Sequence, residues 1–275
     1  MKKQKSYMNK VIIMLVVISV LQIFLVACLD STLSIDQERF PDDALRGAVS
    51  KYDSNSDSKL SSSELSRISS LTLDGCNDLT GIELLSNLKS LTLYNSSFFY
   101  EFSLNQKSKI EDLQLINCSF DSGIALNNCS TLKSVNFEDC IAIGKVDLSD
   151  CSGLEKFRGG INTEILLLCN CSKLKDASCT GSESLTSVNI NGCGELTVAL
   201  FNYNKNLKEI DIGGCPQISM LQLDYTGLEE LNIIDNSIIL KLVEKTPEPI
   251  EDSRIRYKAD GVTFICDSDL VIKSE

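Results

Sequence analysis

Apolar residues fall on a fixed beat along most of this chain. The stretch Val146-Asp-Leu148-Ser-Asp-Cys151-Ser-Gly-Leu154 shows one unit: apolar, any residue, apolar, two polar, Cys, two small, Leu. The first apolar position recurs at Leu91, Phe102, Leu113, Ile124, Val135, Val146 and Phe157, always 11 residues apart. After a two-residue deletion it resumes at Leu166, Ala177, Val188, Ala199, Ile210 and Leu221, again 11 apart, with Leu231 ten later. Leu71 stands 20 before Leu91 and opens the array. Three places before these positions a further apolar residue stands nearly every time, as at Leu88, Ile110, Leu132, Ile143, Leu154, Leu185 and Leu207. Such self-similarity predicts a repeat architecture, in which each unit buries its apolar row only by stacking on the next.

Each apolar-x-apolar unit reads as a short strand with alternate residues inward. Eleven residues are too few to close a coil round a core, whereas 22 suffice. Two units therefore make a coil, and the coils build two facing parallel sheets. At about 4.8 Å per coil, about six to seven coils span roughly 30 Å. The predicted fold is mainly β: a solenoid over 71–240, then a linker and C-terminal β cap over 241–275. In the cap, Lys245–Asp252 is a Pro/Glu linker, and Asp260-Gly261 between two short strands gives a hairpin signal. Ahead of the repeats, Phe40–Tyr52 reads as a helix. Pro41 suits the first helical position, and Asp42 and Asp43 complement the positive helix end. Leu45, Ala48, Val49 and Tyr52 form one apolar stripe.

The helix leads into Asp53-Ser-Asn55-Ser-Asp57-Ser58-Lys59-Leu60-Ser61-Ser-Ser-Glu64. An EF-hand calcium loop wants side-chain oxygens at positions 1, 3 and 5, and a backbone carbonyl at 7. It also wants a residue often bridged by water at 9 and a bidentate Glu at 12. Asp53, Asn55, Asp57, Lys59, Ser61 and Glu64 hold those places. An all-oxygen cage suits the hard Ca²⁺ ion, so one weak calcium site is expected, in the ~10⁻⁴–10⁻³ M range of extracellular modules. Ser58 stands where Gly normally supplies positive φ. The competing reading is a Ser/Asp-rich surface loop. Residues 40–70 are taken as one EF-hand-like cap.

The chain opens on Lys2, Lys3, Lys5 and Lys10, followed by an almost unbroken apolar run from Val11 to Val26. This is the pattern of a secretion signal over 1–27 and is short for a spanning helix. The run ends Leu25-Val26-Ala27-Cys28, which resembles the bacterial lipobox. That resemblance implies cleavage before Cys28 and its diacylation, and two acyl chains are what stable anchoring needs. The alternative is an uncleaved N-terminal anchor. Residues 28–39 read as a tether, with Leu29–Glu38 a polar spacer. Localisation is then the bacterial cell envelope, facing the extracytoplasmic side.

The repeat unit LxxLxLxxC/N resembles leucine-rich repeats. The 20-residue opening after Leu71 is similar to the internalin-like type, and the later units to the two-strand variant of secreted gut-bacterial proteins. Phe40–Leu73 resembles the EF-hand or dockerin-like segment that precedes such repeats in bacterial surface proteins. The resemblance implies a binding scaffold. A right-handed β-helix of the calcium-dependent polysaccharide-lyase type is the alternative fold.

Composition narrows the chemistry. The chain has 26 Lys+Arg against 38 Asp+Glu and no His. Without residues 1–27 there are 22 basic against 38 acidic residues, a net charge of −16. So acidic a body excludes nucleic acid as partner. The lack of His removes Ser-His-Asp and Cys-His catalysis as usually built. Of the 12 Cys, Cys76, Cys118, Cys129, Cys140, Cys151, Cys171, Cys193 and Cys215 share one repeat position, where Asn162, Asn204 and Asn236 stand in other units. Buried structural thiols explain this spacing; disulfides and a zinc site at Cys169-Asn-Cys171 are the alternatives.

Outward strand positions follow from the register. One row holds Ser103, Ala125, Asp147, Leu167, Asn189, Asp211 and Asn232. Its members Asp147, Asn189, Asp211 and Asn232 are a possible face for a glycan or protein ligand, or else an ordinary solvated surface. In the aromatic cluster at 94–102 the beat places Phe99 and Phe102 inward, with Tyr94, Phe98 and Tyr100 outward. A lyase would need Lys or Arg as base beside clustered carboxylates, and Arg158, Lys145 and Lys156 show no such partner in sequence. The expected function is a membrane-anchored, non-enzymatic binding scaffold. A lyase-like enzyme and a spacer without ligand are the alternatives.

Overall fold

The computed structural model describes residues 32–104, 109–233, 235–250 and 252–274. The signal segment, Cys28 and the first tether residues lie outside the described residues.

The apolar beat becomes two parallel sheets. The long sheet sets side by side Ser70–Asp74, Ser90–Tyr94, Asp112–Ile116, Ser134–Ala142, Lys156–Asn162, Asp176–Ser178, Val198–Leu200 and Met220–Gln222. Leu71, Leu91, Leu113, Val135, Phe157, Ala177, Ala199 and Leu221 pair in one row. The short sheet comprises Phe102–Ser103, Ile124–Ala125, Lys145–Asp147, Ile165–Leu167, Ser187–Asn189 and Glu209–Asp211. Its inward row is Phe102, Ile124, Val146, Leu166, Val188 and Ile210. By this register the chain is a parallel β-solenoid of about seven turns, with about 22 residues per turn. One apolar core runs from Phe40 to Cys266. A bulge absorbs one residue of the two-residue deletion, since pairing steps from Phe137 opposite Gly159 to Cys140 opposite Ile161, and the other is lost before Ile165, which pairs with Lys145. A side chain on Gly160 would put its Cβ 2.6 Å from the Phe137 carbonyl oxygen.

Two corners join the sheets. The corner from short to long sheet is uniform: Ile110, Leu132, Leu154, Leu174, Leu196 and Ile218 are all buried. The corner from long to short sheet is uniform only in its later coils, where Leu185, Leu207 and Leu228 fill the inward place. In its earlier coils the chain stays extended, so that Ser97–Phe98 pairs with Ser119–Phe120, which pairs with Ile141 and Ala142. Strand alternation then sends Phe98, Phe120 and Ala142 inward and their neighbours outward. Phe99 is 70 % exposed and Ile143 59 %, whereas Phe98 is buried. This reverses the places that the beat predicts for Phe98, Phe99 and Ile143. Phe98 stacks on Phe120 at 5.5 Å, with Phe102 edge-on to both.

Both ends are closed. Helix α1, Asp43–Ser50, is shorter than the predicted Phe40–Tyr52. The Asp42 carboxylate accepts from the Ala44 and Leu45 N–H groups, which makes Asp42 the N-cap. Pro41 therefore precedes the cap instead of starting the helix. Leu45, Ala48 and Val49 form the buried stripe. Leu33–Ser34, within the predicted spacer, is a strand paired antiparallel with Lys59–Leu60. Gly81 lies at φ +97, where a Cβ would meet the Arg39 carbonyl oxygen at 2.1 Å; the N-terminal cap thus presses on the first coil.

At the other end Arg254–Ala259 and Val262–Asp267 form a hairpin. Its Asp260-Gly261 turn has positive φ at both residues. The second hairpin strand runs parallel to Met220–Gln222 and sets Phe264 opposite Leu221, extending the long sheet. Val271–Lys273 pairs with Glu230–Asn232. A helix that the fading repeat register does not predict, Ser237–Val243, packs on the hairpin.

Candidate functional site

The loop after α1 turns its acidic side chains onto its own backbone. Asp53 accepts from the Ser58 N–H at 2.8 Å and the Asp57 N–H at 3.3 Å. Asn55 Oδ1 accepts from the Asp57 N–H at 3.3 Å, and Asp57 Oδ1 from the Lys59 N–H at 2.9 Å. Ser58 adopts φ +60 without being Gly, at a cost of about 1–2 kcal/mol. Helix α2, Ser62–Arg67, starts in a capping box between Ser61 and Glu64. Glu64 Oε1 accepts from the Ser54 hydroxyl at 2.5 Å and the Ser54 N–H at 2.8 Å. Its Oε2 accepts from the Ser61 N–H at 2.9 Å and the Ser61 hydroxyl at 2.8 Å. These bonds, the Ser54 hydroxyl first, hold the Glu64 carboxyl down at about 2.

The donor set is the oxygen set that a hard cation takes. All four acceptor directions of Glu64 are occupied, so bidentate ligation requires the two Ser hydroxyls to rotate away, which hydroxyls do readily. Among the described residues no three acidic, Cys or His side chains converge closely enough to hold a metal. The loop thus has the donors of a calcium loop in an uncontracted arrangement.

Asp147, Asn189 and Asp211 share one register row, interrupted by Leu167. Register pairing places Asp211 directly opposite Asn189. Asn232 lies on the strand Glu230–Asn232. Asp147 is buried: it accepts from the Ser149 hydroxyl at 2.5 Å and pairs with Lys145 at 3.1 Å. It closes its own turn and leaves the ligand face. Asn189 likewise accepts from the Asn191 N–H at 2.9 Å, and Asp211 from the Gly213 N–H at 2.9 Å. The sequence reading misses Asn191 and Asp235. With Asp211 and Asn232 they line a depression of about 310 Å³ at the C-terminal end of the row. The recurring spacing Asn189-Ile-Asn191, Asp211-Ile-Gly213 is the signal for these turn-closing groups. Arg158, solitary in sequence, pairs with Asp176 at 3.6 Å.

The repeat thiols form hydrogen-bonded ladders. Cys151, Cys171, Cys193 and Cys215 donate to the carbonyls of Leu126, Leu148, Leu168 and Ile190 at 3.0–3.2 Å, each reaching back one coil. In the other corner Cys140 does so to Leu115 at 3.2 Å. Asn204 takes the same role, reaching the Cys179 carbonyl at 2.7 Å. All 11 cysteines among the described residues are free thiols. Burial pushes Cys76, Cys171, Cys179 and Cys266 up to about 12. Thiols so protonated are poor nucleophiles and poor metal ligands.

No family model matches this sequence, and no curated protein is a significant match. Solved structures to which the chain is similar include three proteins of Listeria monocytogenes. Internalin C2 of Listeria monocytogenes matches at 17 % identity and TM-score 0.49, over 72 % of this chain and 89 % of that one. An internalin, InlF, of the same organism matches at 13 % and 0.34, over 72 % and 80 %. The functional domain of its InlJ, which includes a cysteine ladder, matches at 14 % and 0.25, over 75 % and 69 %.

Proposed function

We propose that this chain is a lipid-anchored binding scaffold displayed outside the cytoplasm, non-enzymatic, with a weak calcium site bracing its N-terminal cap. One observation carries the reading: outward side chains line up coil by coil into continuous faces on a rigid core. Such faces suit extended contact with a protein or glycan, and solenoids use their surfaces this way. The ligand face we assign is the polar depression around Asp211, Asn232, Asn191 and Asp235. Arg158 and Lys145, which a lyase would need as bases, are neutralised by Asp176 and Asp147, which favours a scaffold over an enzyme. Calcium at the loop would hold Asp53, Asn55, Asp57 and Glu64 in one arrangement and oppose their mutual repulsion; Lys59 and Ser61 complete the set. The anchor rests on Cys28 and its lipobox-like context.

The test is a glycan array and a cell-surface protein array, probed with the full chain and with Asp211→Ala/Asn232→Ala. Binding by the wild type that falls at least about tenfold in the variant supports this face. Equal binding by both moves the face elsewhere, and no binding by either overturns the scaffold reading.

A further inference from the structure

The irregular corner carries side chains that the fold does not need. Phe99, Tyr100, Ile141 and Ile143 are exposed there, Tyr100 by 87 %. Phe99 and Ile143 sit two coils apart, with Asp121 at the matching place between them. Large apolar groups gathered in the open mark contact surfaces. Beside Phe99 and Tyr100 opens a groove of about 670 Å³, lined at depth by Ile82, Phe98 and Phe102. Asp78, Glu83 and Glu101 also line it, and none of its lining residues is basic. Among the described residues no ion pair engages these three acids or Asp121. Glu111, by contrast, lies between Lys89 and Lys133.

We propose that this corner docks a segment of a partner protein that carries Lys or Arg beside an apolar side chain. The proposal deepens the scaffold reading and rests on it. Aromatic faces attract a cation and the apolar depth takes the neighbouring side chain, while the carboxylates, of which Asp78 and Glu83 each accept one backbone N–H, keep a second oxygen for its N–H groups. Other occupants fit less well. A second copy of this chain would bring the same acids against each other. An anionic membrane is repelled by them, and a sugar gains little from Ile141 and Ile143. Exposed aromatic rings at the mouth of an apolar groove, as Phe99 and Tyr100 are, form the arrangement in which few residues dominate binding.

The experiment is selection of a random peptide library, displayed on phage, against the immobilised full chain. Selected peptides are then titrated against the wild type, Phe99→Ser/Tyr100→Ser and Glu83→Gln/Glu101→Gln, with melting temperatures recorded. The expected outcome is enrichment of Lys or Arg next to apolar residues, with affinity falling about tenfold or more in each variant, weakening with salt, and no change in melting. Enrichment without basic residues, equal affinity for the variants, or no enrichment at all overturns the proposal. If array ligands sensitive to Asp211→Ala/Asn232→Ala persist in that case, the scaffold reading stands without this surface. If neither screen yields a ligand, both readings fall.

Discussion

The two corners of the solenoid are built from the same repeat and do different work. The short-to-long corner repeats one solution: a buried Leu or Ile and, at Cys151, Cys171, Cys193 and Cys215, a thiol tied to the coil before. The long-to-short corner varies its cap among Cys118, Cys140, Asn162, Ser182 and Asn204, and lets Phe99 and Ile143 face water. Uniformity marks the side on which each coil must fit its neighbour. Irregularity marks the side free to carry other chemistry. Position in the repeat therefore does not by itself say whether a residue is structural.

The sharpest way to break this comparison is to make one substitution at the equivalent place in both corners. Leu154→Ala opens the core and lowers stability by about 2–5 kcal/mol in urea unfolding. Ile143→Ala, at the matching place, changes stability by less than about 0.5 kcal/mol. A smaller effect tests the ladder. Cys193→Ala removes one of two donors to the buried Leu168 carbonyl, which keeps the Cys171 N–H at 3.4 Å, and costs about 0.5–1.5 kcal/mol, while Cys193→Ser, which still donates, retains most of that in thermal melts.

Smaller still is the contribution of the N-terminal loop. The Glu64 carboxyl lies at about 2, below its ordinary 4.5. A carboxyl lowered in the folded state stabilises fully above its unfolded value and loses that stabilisation as pH falls from 4.5 towards about 2. Acid melts of Glu64→Gln are expected to be flatter than wild type in that window. Calorimetric titration with millimolar Ca²⁺ is expected to give heat and a raised melting temperature in the wild type and neither in Glu64→Gln. Absence of heat in the wild type would remove calcium from the account.

The strands were legible because period-2 alternation and a fixed 11-residue spacing leave one register that keeps Leu91, Leu113 and Val135 inside. The irregular corner was not, because the rule that places Leu185 inside presumes a turn. Residues 97–98 form a strand instead, and a change from turn to strand shifts the inward face by one residue. Asp147 leaves its outward place for a different reason: it lies on the expected row, but a carboxylate two residues before a serine hydroxyl folds back to close its own turn. Leu33–Ser34 gave no sign because its strand exists only through Lys59–Leu60.

The division of labour between the corners is tested most directly by crossing two variants with two readouts, melting temperature and affinity for a peptide selected on the wild type. The account predicts that Cys193→Ala lowers the melting temperature and keeps the affinity, while Phe99→Ser/Tyr100→Ser keeps the melting temperature and loses the affinity. Both variants moving both readouts together, or the aromatic pair proving necessary for folding and dispensable for binding, would contradict it.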